Sequence, residues 1–182
     1  MRPVTRLWTG KGDDGTSGLY YGGREPKTSP RFEAVGAVDE AQAAIGVARA
    51  EVAGRGELDA ILVGVERDLW VLMAELATDD DNRDKLAAGA SLVTSEMVVG
   101  LEAAIEDAAG RFELPAEFIV PGQDRASALL DVARTVVRRA ERATVAVAAQ
   151  GSQVIPYLNR LSSLLWTLAR WVEGTPLRSR DA

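Results

Sequence analysis

After Pro30 the apolar positions of this chain recur at steps of three and four, the spacing that places side chains on one face of a helix. Phe32, Val35, Val38, Gln42 and Ile45 trace a first stripe, with Asp39, Gln42, Gly46 and Arg49 on a polar stripe beside it. A second, stronger stripe runs through Leu58, Ile61, Leu62, Val65, Leu69, Leu72, Met73 and Leu76. It ends before the acidic segment Asp79–Lys85, which is expected to be a mobile loop. Thr94 suits the N-cap of a third helix carrying Met97, Val98, Leu101, Ala104, Ile105 and Ala108, stopped by Gly110. A Pro-containing connector follows, with Phe118-Ile119-Val120 as its apolar anchor. The fourth helix is predicted from about Ala126 to Ala149, closed by Gly151. A fifth begins near Pro156 and carries Leu158, Leu161, Leu165, Leu168 and Val172. Helices of several turns, short connections and no credible series of strands predict an all-α fold, an up-and-down five-helix bundle. The expected organisation is a single domain over 1–182, with a Gly-rich stretch at 1–29, a helical body at 30–173 and a tail at 174–182.

The segment Thr9–Gly23 has no helical period and is dense in glycine, which leaves an ordered loop and a flexible tail both open. Gly10-Lys11-Gly12-Asp13-Asp14-Gly15 fits G-x-G-x-x-G, but no strand precedes it and no long helix follows, so it is not the dinucleotide fingerprint. Lys11 is followed by Gly12 rather than Ser or Thr, so it is not a Walker A loop either. What the residues do offer is backbone N–H groups able to approach an anion, with Lys11, Thr16, Ser17 and Lys27 as side-chain donors.

Composition narrows the chemistry. The 182 residues contain neither His nor Cys, so disulfides, thiol nucleophiles, imidazole bases and the commonest zinc ligands are excluded. Any reaction must work through Asp, Glu, Lys, Arg and positioning. The formal net charge of −6 argues against a general nucleic-acid or anionic-membrane binder, and no apolar run approaches a membrane span. A cytoplasmic protein is the expectation.

Against that acidic background, Arg134-Thr-Val-Val-Arg138-Arg139-Ala-Glu141-Arg142 stands out. On a helix Arg134, Arg138 and Arg142 fall on one face, and Arg is the side chain whose planar fork suits phosphate or carboxylate. A solvated helix surface with Glu141 as internal counter-charge accounts for the same segment.

Together with the head Thr9–Ser17, these residues carry a family resemblance. Pro26-Lys27, Phe32–Glu40, Ala74–Thr78, Phe118-Ile-Val-Pro-Gly122, the Arg cluster and Tyr157-Leu-Asn159-Arg-Leu-Ser162 stand in the order and approximate spacing of the PduO-type ATP:cob(I)alamin adenosyltransferases, which the chain resembles from Thr9 to about Trp171. The resemblance implies a homotrimer with active sites between neighbouring subunits, and transfer of the adenosyl group of ATP to the cobalt of cob(I)alamin with release of triphosphate. It implies ATP contacts at Thr9, Gly10, Lys11, Gly12, Ser17, Gly18, Lys27, Arg138, Arg139, Glu141, Arg142 and Asn159, with Mg²⁺ accompanying the nucleotide. It assigns Asp39 and Arg134 to an ion pair between subunits beside the corrin, and Phe118 to the lower axial face of cobalt. The catalytic set is thus Arg138, Asp39, Arg134 and Phe118, while no metal ligand is assigned. A flavoprotein reductase and an adenosylcobalamin-dependent enzyme are implied partners. The sequence departs from the family at Gly10, Asp131 and Ser163, where the usual residues are Lys, His and Asp. These departures leave a second reading, a non-catalytic nucleotide or corrinoid carrier or sensor on the same fold.

Overall fold

The structure, a computed structural model, describes residues 8–52, 54 and 56–181. Five helices form the body: α1 (Pro30–Glu51), α2 (Gly56–Leu76), α3 (Ser95–Ala109), α4 (Arg125–Thr144) and α5 (Val154–Glu173). Side-chain caps set three of the starts. Ser29 accepts from Phe32 N–H with Pro30 next in line, Thr94 accepts from Met97 N–H as expected, and Asp124 accepts from Ser127 N–H.

The helices lie side by side in the order α2, α1, α4, α5, α3. Ion pairs and hydrogen bonds give their directions. Arg49 meets Asp59 and Gln42 meets Glu66, so α1 and α2 are antiparallel. Arg125 meets Glu51 and Arg139 meets Glu40, so α4 also runs against α1. Glu141 meets Asn159 and Asp131 meets Arg170, which makes α5 antiparallel to α4. Direction therefore alternates along the chain, the up-and-down bundle that periodicity predicted.

The contact between α1 and α4 is made of small residues. Ala34, Ala37, Ala41 and Ala48 on one side and Ala126, Ala133 and Ala140 on the other are buried, which lets the two backbones approach closely. Leu158, Leu161, Leu164, Leu165 and Leu168 of α5 fill the centre, with Leu62, Leu69 and Leu72 of α2 on the far side of the core.

Two expectations need correction, and the all-α reading gains two small strand pairs. Short strands do occur: β1 (Thr16–Gly18) pairs antiparallel with β2 (Arg24–Pro26), and β3 (Ile119–Val120) pairs antiparallel with β4 (Leu177–Arg178). Two or three residues are too few to leave an alternating signal in sequence. The 174–182 tail consequently contains a strand that ties the Phe118 connector down, and Ser179 N–H donates to the Phe118 carbonyl at 2.9 Å. The acidic Asp79–Lys85 segment is a 3-10 helix over Asp80–Lys85, because Asp79 caps it and Arg83 reaches back to the buried Glu75 at 2.8 Å. Finally, α4 stops at Thr144 rather than Ala149. There the Thr144 hydroxyl donates to the Glu141 carbonyl, and Val147 and Ala148 N–H both turn back to the Thr144 carbonyl.

Candidate active site

The Gly-rich head is a built loop. Arg24 is its organiser: Nη2 donates to the Lys11 carbonyl at 2.6 Å and to the Thr16 hydroxyl at 2.6 Å, while Nε donates to the same hydroxyl at 2.9 Å. Asp14 accepts from the backbone N–H and the hydroxyl of Thr16, and these bonds, helped by Arg24, hold its carboxyl below the usual value. Gly10 and Gly15 have φ of 69° and 79°, the left-handed region that glycine adopts without strain. Lys27 N–H donates to the Gly15 carbonyl, which brings the Lys27 ammonium over the loop. A Cβ on Gly12 would lie 3.0 Å from the Lys27 Nζ, so the absence of a side chain at residue 12 is what lets the ammonium sit there. The head is fastened to the bundle by Tyr20 N–H on the Ala77 carbonyl, and by Arg31, which donates to the carbonyls of Leu76 and Thr78 and pairs with Glu25.

The second part of the site lies on α4 and α5. Arg134 and Phe118 line a cavity of about 610 Å³ together with Asp131, Trp166, Arg170 and the connector around Pro115–Pro121. Arg134 and Arg138 line an adjoining cavity of about 350 Å³ with Ser162, Ser163, Trp166 and Thr167. Arg134 and Trp166 belong to both walls, so the two spaces meet at that pair. Phe118 is 89% exposed, a phenyl ring standing at the rim with no packing beneath it.

The arginines are not equivalent. Arg139 pairs with Glu40 of α1, which raises its pKa and points its charge away from the cavities. Arg142 donates to the Arg138 carbonyl. Arg134 donates from Nε to Asp131 Oδ1 at 2.9 Å. Arg138 has no carboxylate partner among the described residues, so its positive charge faces the smaller cavity uncompensated. Glu141 accepts from the Asn159 amide at 3.0 Å, and Asn159 in turn accepts from Arg160 at 2.8 Å, which fixes the amide's orientation.

Within one subunit the structure therefore brings together Arg134, Arg138 and Phe118, and separately Gly10, Lys11, Gly12 and Lys27 with Thr9, Ser17 and Gly18 nearby on the hairpin. It does not join these two groups: among the described residues no hydrogen bond or ion pair of residues 9–27 reaches Arg138, Arg139, Glu141, Arg142 or Asn159. Asp39 is exposed on α1, and the carboxylate on Arg134 is Asp131. No group of three or more Asp or Glu able to hold a metal is present among the described residues. Sequence reasoning passed over Arg24 and Arg170. Arg24 carries no signal beyond its place in a hairpin too short to predict, and Arg170 lies inside an otherwise ordinary helix stripe.

A helical bundle with a glycine loop under a lysine, an uncompensated arginine face and an adjoining cavity for a large, partly apolar group has the layout of a nucleotide-dependent transferase. Residues 7–172 match the cobalamin adenosyltransferase family, and the chain belongs to that family. The corrinoid adenosyltransferase PduO of Salmonella typhimurium is 38% identical over 167 residues, which is 90% of this chain and 48% of that protein. The chain thus spans about half the length of the PduO relative. A corrinoid adenosyltransferase of Citrobacter freundii is 37% identical over 174 residues and is covered over 97% of its length. A solved variant of the PduO-type ATP:corrinoid adenosyltransferase from Lactobacillus reuteri, complexed with cobalamin and ATP, superposes with a TM-score of 0.85 at 27% identity, covering 97% of both chains.

Proposed function

We propose that this chain is a corrinoid adenosyltransferase that moves the 5′-deoxyadenosyl group of ATP to the cobalt of cob(I)alamin and releases triphosphate. One observation carries the reading: the cavity bearing Phe118 and the cavity bearing the uncompensated Arg138 meet at Arg134 and Trp166. A corrinoid in the first and a nucleotide in the second would place the reacting atoms at that junction. The reduced cobalt attacks the ribose C5′, the Co–C bond forms, and the C5′–O bond breaks with its electron pair leaving on the triphosphate. The nucleophile is supplied by the substrate, so a chain without His or Cys lacks nothing that this step needs.

The protein's part is electrostatic. Charge accumulates on the leaving triphosphate, and Arg138, Lys11 and Lys27 stabilise it more in the transition state than in the ground state. Mg²⁺ suits this site as an ion chelated by the triphosphate itself, since a nucleotide-bound magnesium needs few protein ligands. Thr9, Gly10, Gly12, Ser17 and Gly18 supply the loop's backbone and hydroxyl donors, and Glu141 and Asn159 form the fixed amide–carboxylate pair toward the nucleoside. Arg142 adds positive potential from the same helix, while the Arg139 charge, paired with Glu40, adds little.

The lack of a hydrogen bond or ion pair between the head and the Arg138 face among the described residues leaves both groups free for a homotrimer in which the head of one subunit closes the nucleotide cavity of its neighbour. Asp39 then meets Arg134 across that boundary. Exposed Val47, Trp70, Val132 and Val145 supply the apolar surface such an assembly needs. Light scattering checks it: a clean monomer at micromolar concentration overturns the shared site. The working partners on this reading are a flavoprotein reductase that delivers cob(I)alamin and an adenosylcobalamin-dependent enzyme that takes the product, in the cytoplasm.

The test of activity is incubation with ATP, Mg²⁺ and chemically reduced cobalamin, followed by the appearance of adenosylcobalamin in the visible spectrum. Tight binding of ATP and corrinoid without product would leave the carrier reading, which Gly10, Asp131 and Ser163 favour by departing from the family.

A further inference from the structure

We infer that Asp131 is a positioning residue: it fixes the guanidinium of Arg134 at the junction of the two cavities, and is itself held by the buried Arg170. This rests on the reading of the junction as the reacting centre. Asp131 is buried on α4 and divides its two oxygens between two arginines. Oδ1 accepts from Arg134 Nε at 2.9 Å, and Oδ2 accepts from Arg170 Nη2 at 2.7 Å. Arg170 is fully buried, donates also to the Ser127 hydroxyl at 3.2 Å, and lies with its guanidinium carbon 5.9 Å from the Trp166 ring. Glu173 approaches the Arg170 Nε from the next turn. The carboxylate is therefore anchored in the core on one side and grips Arg134 on the other.

How it grips matters. Only Nε of Arg134 is engaged, and its two Nη groups make no hydrogen bond among the described residues. A guanidinium held by its inner edge presents its outer fork, two parallel donors, to the cavities it lines. Without that grip, a long side chain on a helix surface samples several rotamers and points its fork elsewhere. The Arg170–Asp131–Arg134 chain thus converts the rigidity of the α4–α5 contact into the orientation of one cavity-lining group.

A double-mutant cycle on the full-length protein tests it, using D131N, R134A and the double variant, with kcat and KM for corrinoid measured separately. The Asn amide has one acceptor oxygen and cannot serve both arginines, so D131N is expected to lower kcat/KM for corrinoid on the order of ten-fold, within the range for residues of one ion network. In the R134A background the same change is expected to do nothing further. A loss of equal size in the R134A background overturns the inference, because Asp131 would then act through Arg170 and the fold alone. So does a D131N protein with lowered Tm and wild-type kinetics. Should D131N not fold, R134K answers with the Asp131–Arg170 pair intact: an ammonium that donates one N–H to Asp131 keeps two more but no planar fork, so R134K is expected to fall to the level of R134A. An R134K enzyme that keeps most of its activity overturns the inference. A wild-type chain that forms no adenosylcobalamin removes the reading of the junction and this assignment together. An active wild type with unchanged D131N removes the assignment alone.

Discussion

The Gly-rich head and the α4–α5 face would both meet the same nucleotide, yet they are built in opposite ways. The head gets its shape from exposed bonds of its own: Arg24, Asp14 and Thr16 are all solvent-facing or nearly so, and they satisfy one another and the Lys11 carbonyl within one hairpin. The α4–α5 face gets its shape from the core, where Arg170 and Asp131 are buried and the helices are locked by leucines and alanines. Local exposed bonds give a loop that can open at little cost, since surface ion pairs contribute at most about 1 kcal/mol. Core-anchored side chains hold their geometry whether or not a ligand is present. The first is suited to admitting and releasing a nucleotide, the second to aligning it.

Breaking the α4 side should therefore do the most harm. R138A should lower adenosyl transfer by about 10²–10³ in kcat, the loss typical of one donor aimed at developing charge in a desolvated site, while circular dichroism and Tm stay near wild type. A change confined to the KM for ATP would show instead that Arg138 binds ground and transition states alike. Next in size is the proposed contact between subunits. D39A and R134A should each impair activity, and the double variant should lose little more than R134A alone, with a coupling of about 1–3 kcal/mol in a double-mutant cycle. Additive effects would place the two residues apart.

Head variants should act more gently and on a different constant. G12A forces a methyl to within 3.0 Å of the Lys27 ammonium and 3.3 Å of the Thr16 carbonyl, and R24A removes the bonds that fold the loop. Each should raise the KM for ATP several-fold, with kcat changed less, as expected for a loop that admits the nucleotide. Equal falls in kcat would mean that the head aligns as well as admits. The smallest effect is a pH response. The Asp14 carboxyl has its pKa lowered from 3.8 by the Thr16 backbone N–H first, so the stabilisation it lends the loop is present above that value and fades as pH falls through the lower, folded one. The protection of the Thr16 amide, its exchange rate taken relative to the intrinsic one at each pH, should hold above the ordinary carboxylate range and fall below it, while core amides of α5 remain protected.

The same contrast explains what the sequence could disclose. The helices of the body announce themselves because burial imposes a period, and α2 and α5 were legible almost residue by residue. The Arg138 face was legible too, since four-residue spacing on a helix needs no tertiary knowledge. The head hairpin was not: its two three-residue strands leave no alternation, and its organiser Arg24 is an ordinary exposed charge until Lys11 and Thr16 are brought beside it. Asp131 and Arg170 lie thirty-nine positions apart on different helices, and only the antiparallel packing of α4 on α5 makes them neighbours. Phe118 looked like an anchor in an apolar run, but Ile119 and Val120 take that part by pairing with Leu177 and Arg178, leaving the ring outside.

That last pairing sets an order of assembly. Synthesis runs from the N-terminus, and β3 waits for β4, about 60 residues later, before its hydrogen bonds can form. Arg139 of α4 has its partner Glu40 in α1 as soon as both are made, whereas Arg134 waits for Arg170 of α5 to seat Asp131, and the segment bearing Phe118 waits longer still. Both cavities that meet at Arg134 and Trp166 are therefore completed late, the smaller by α5 and the larger by the β3–β4 pair that follows it.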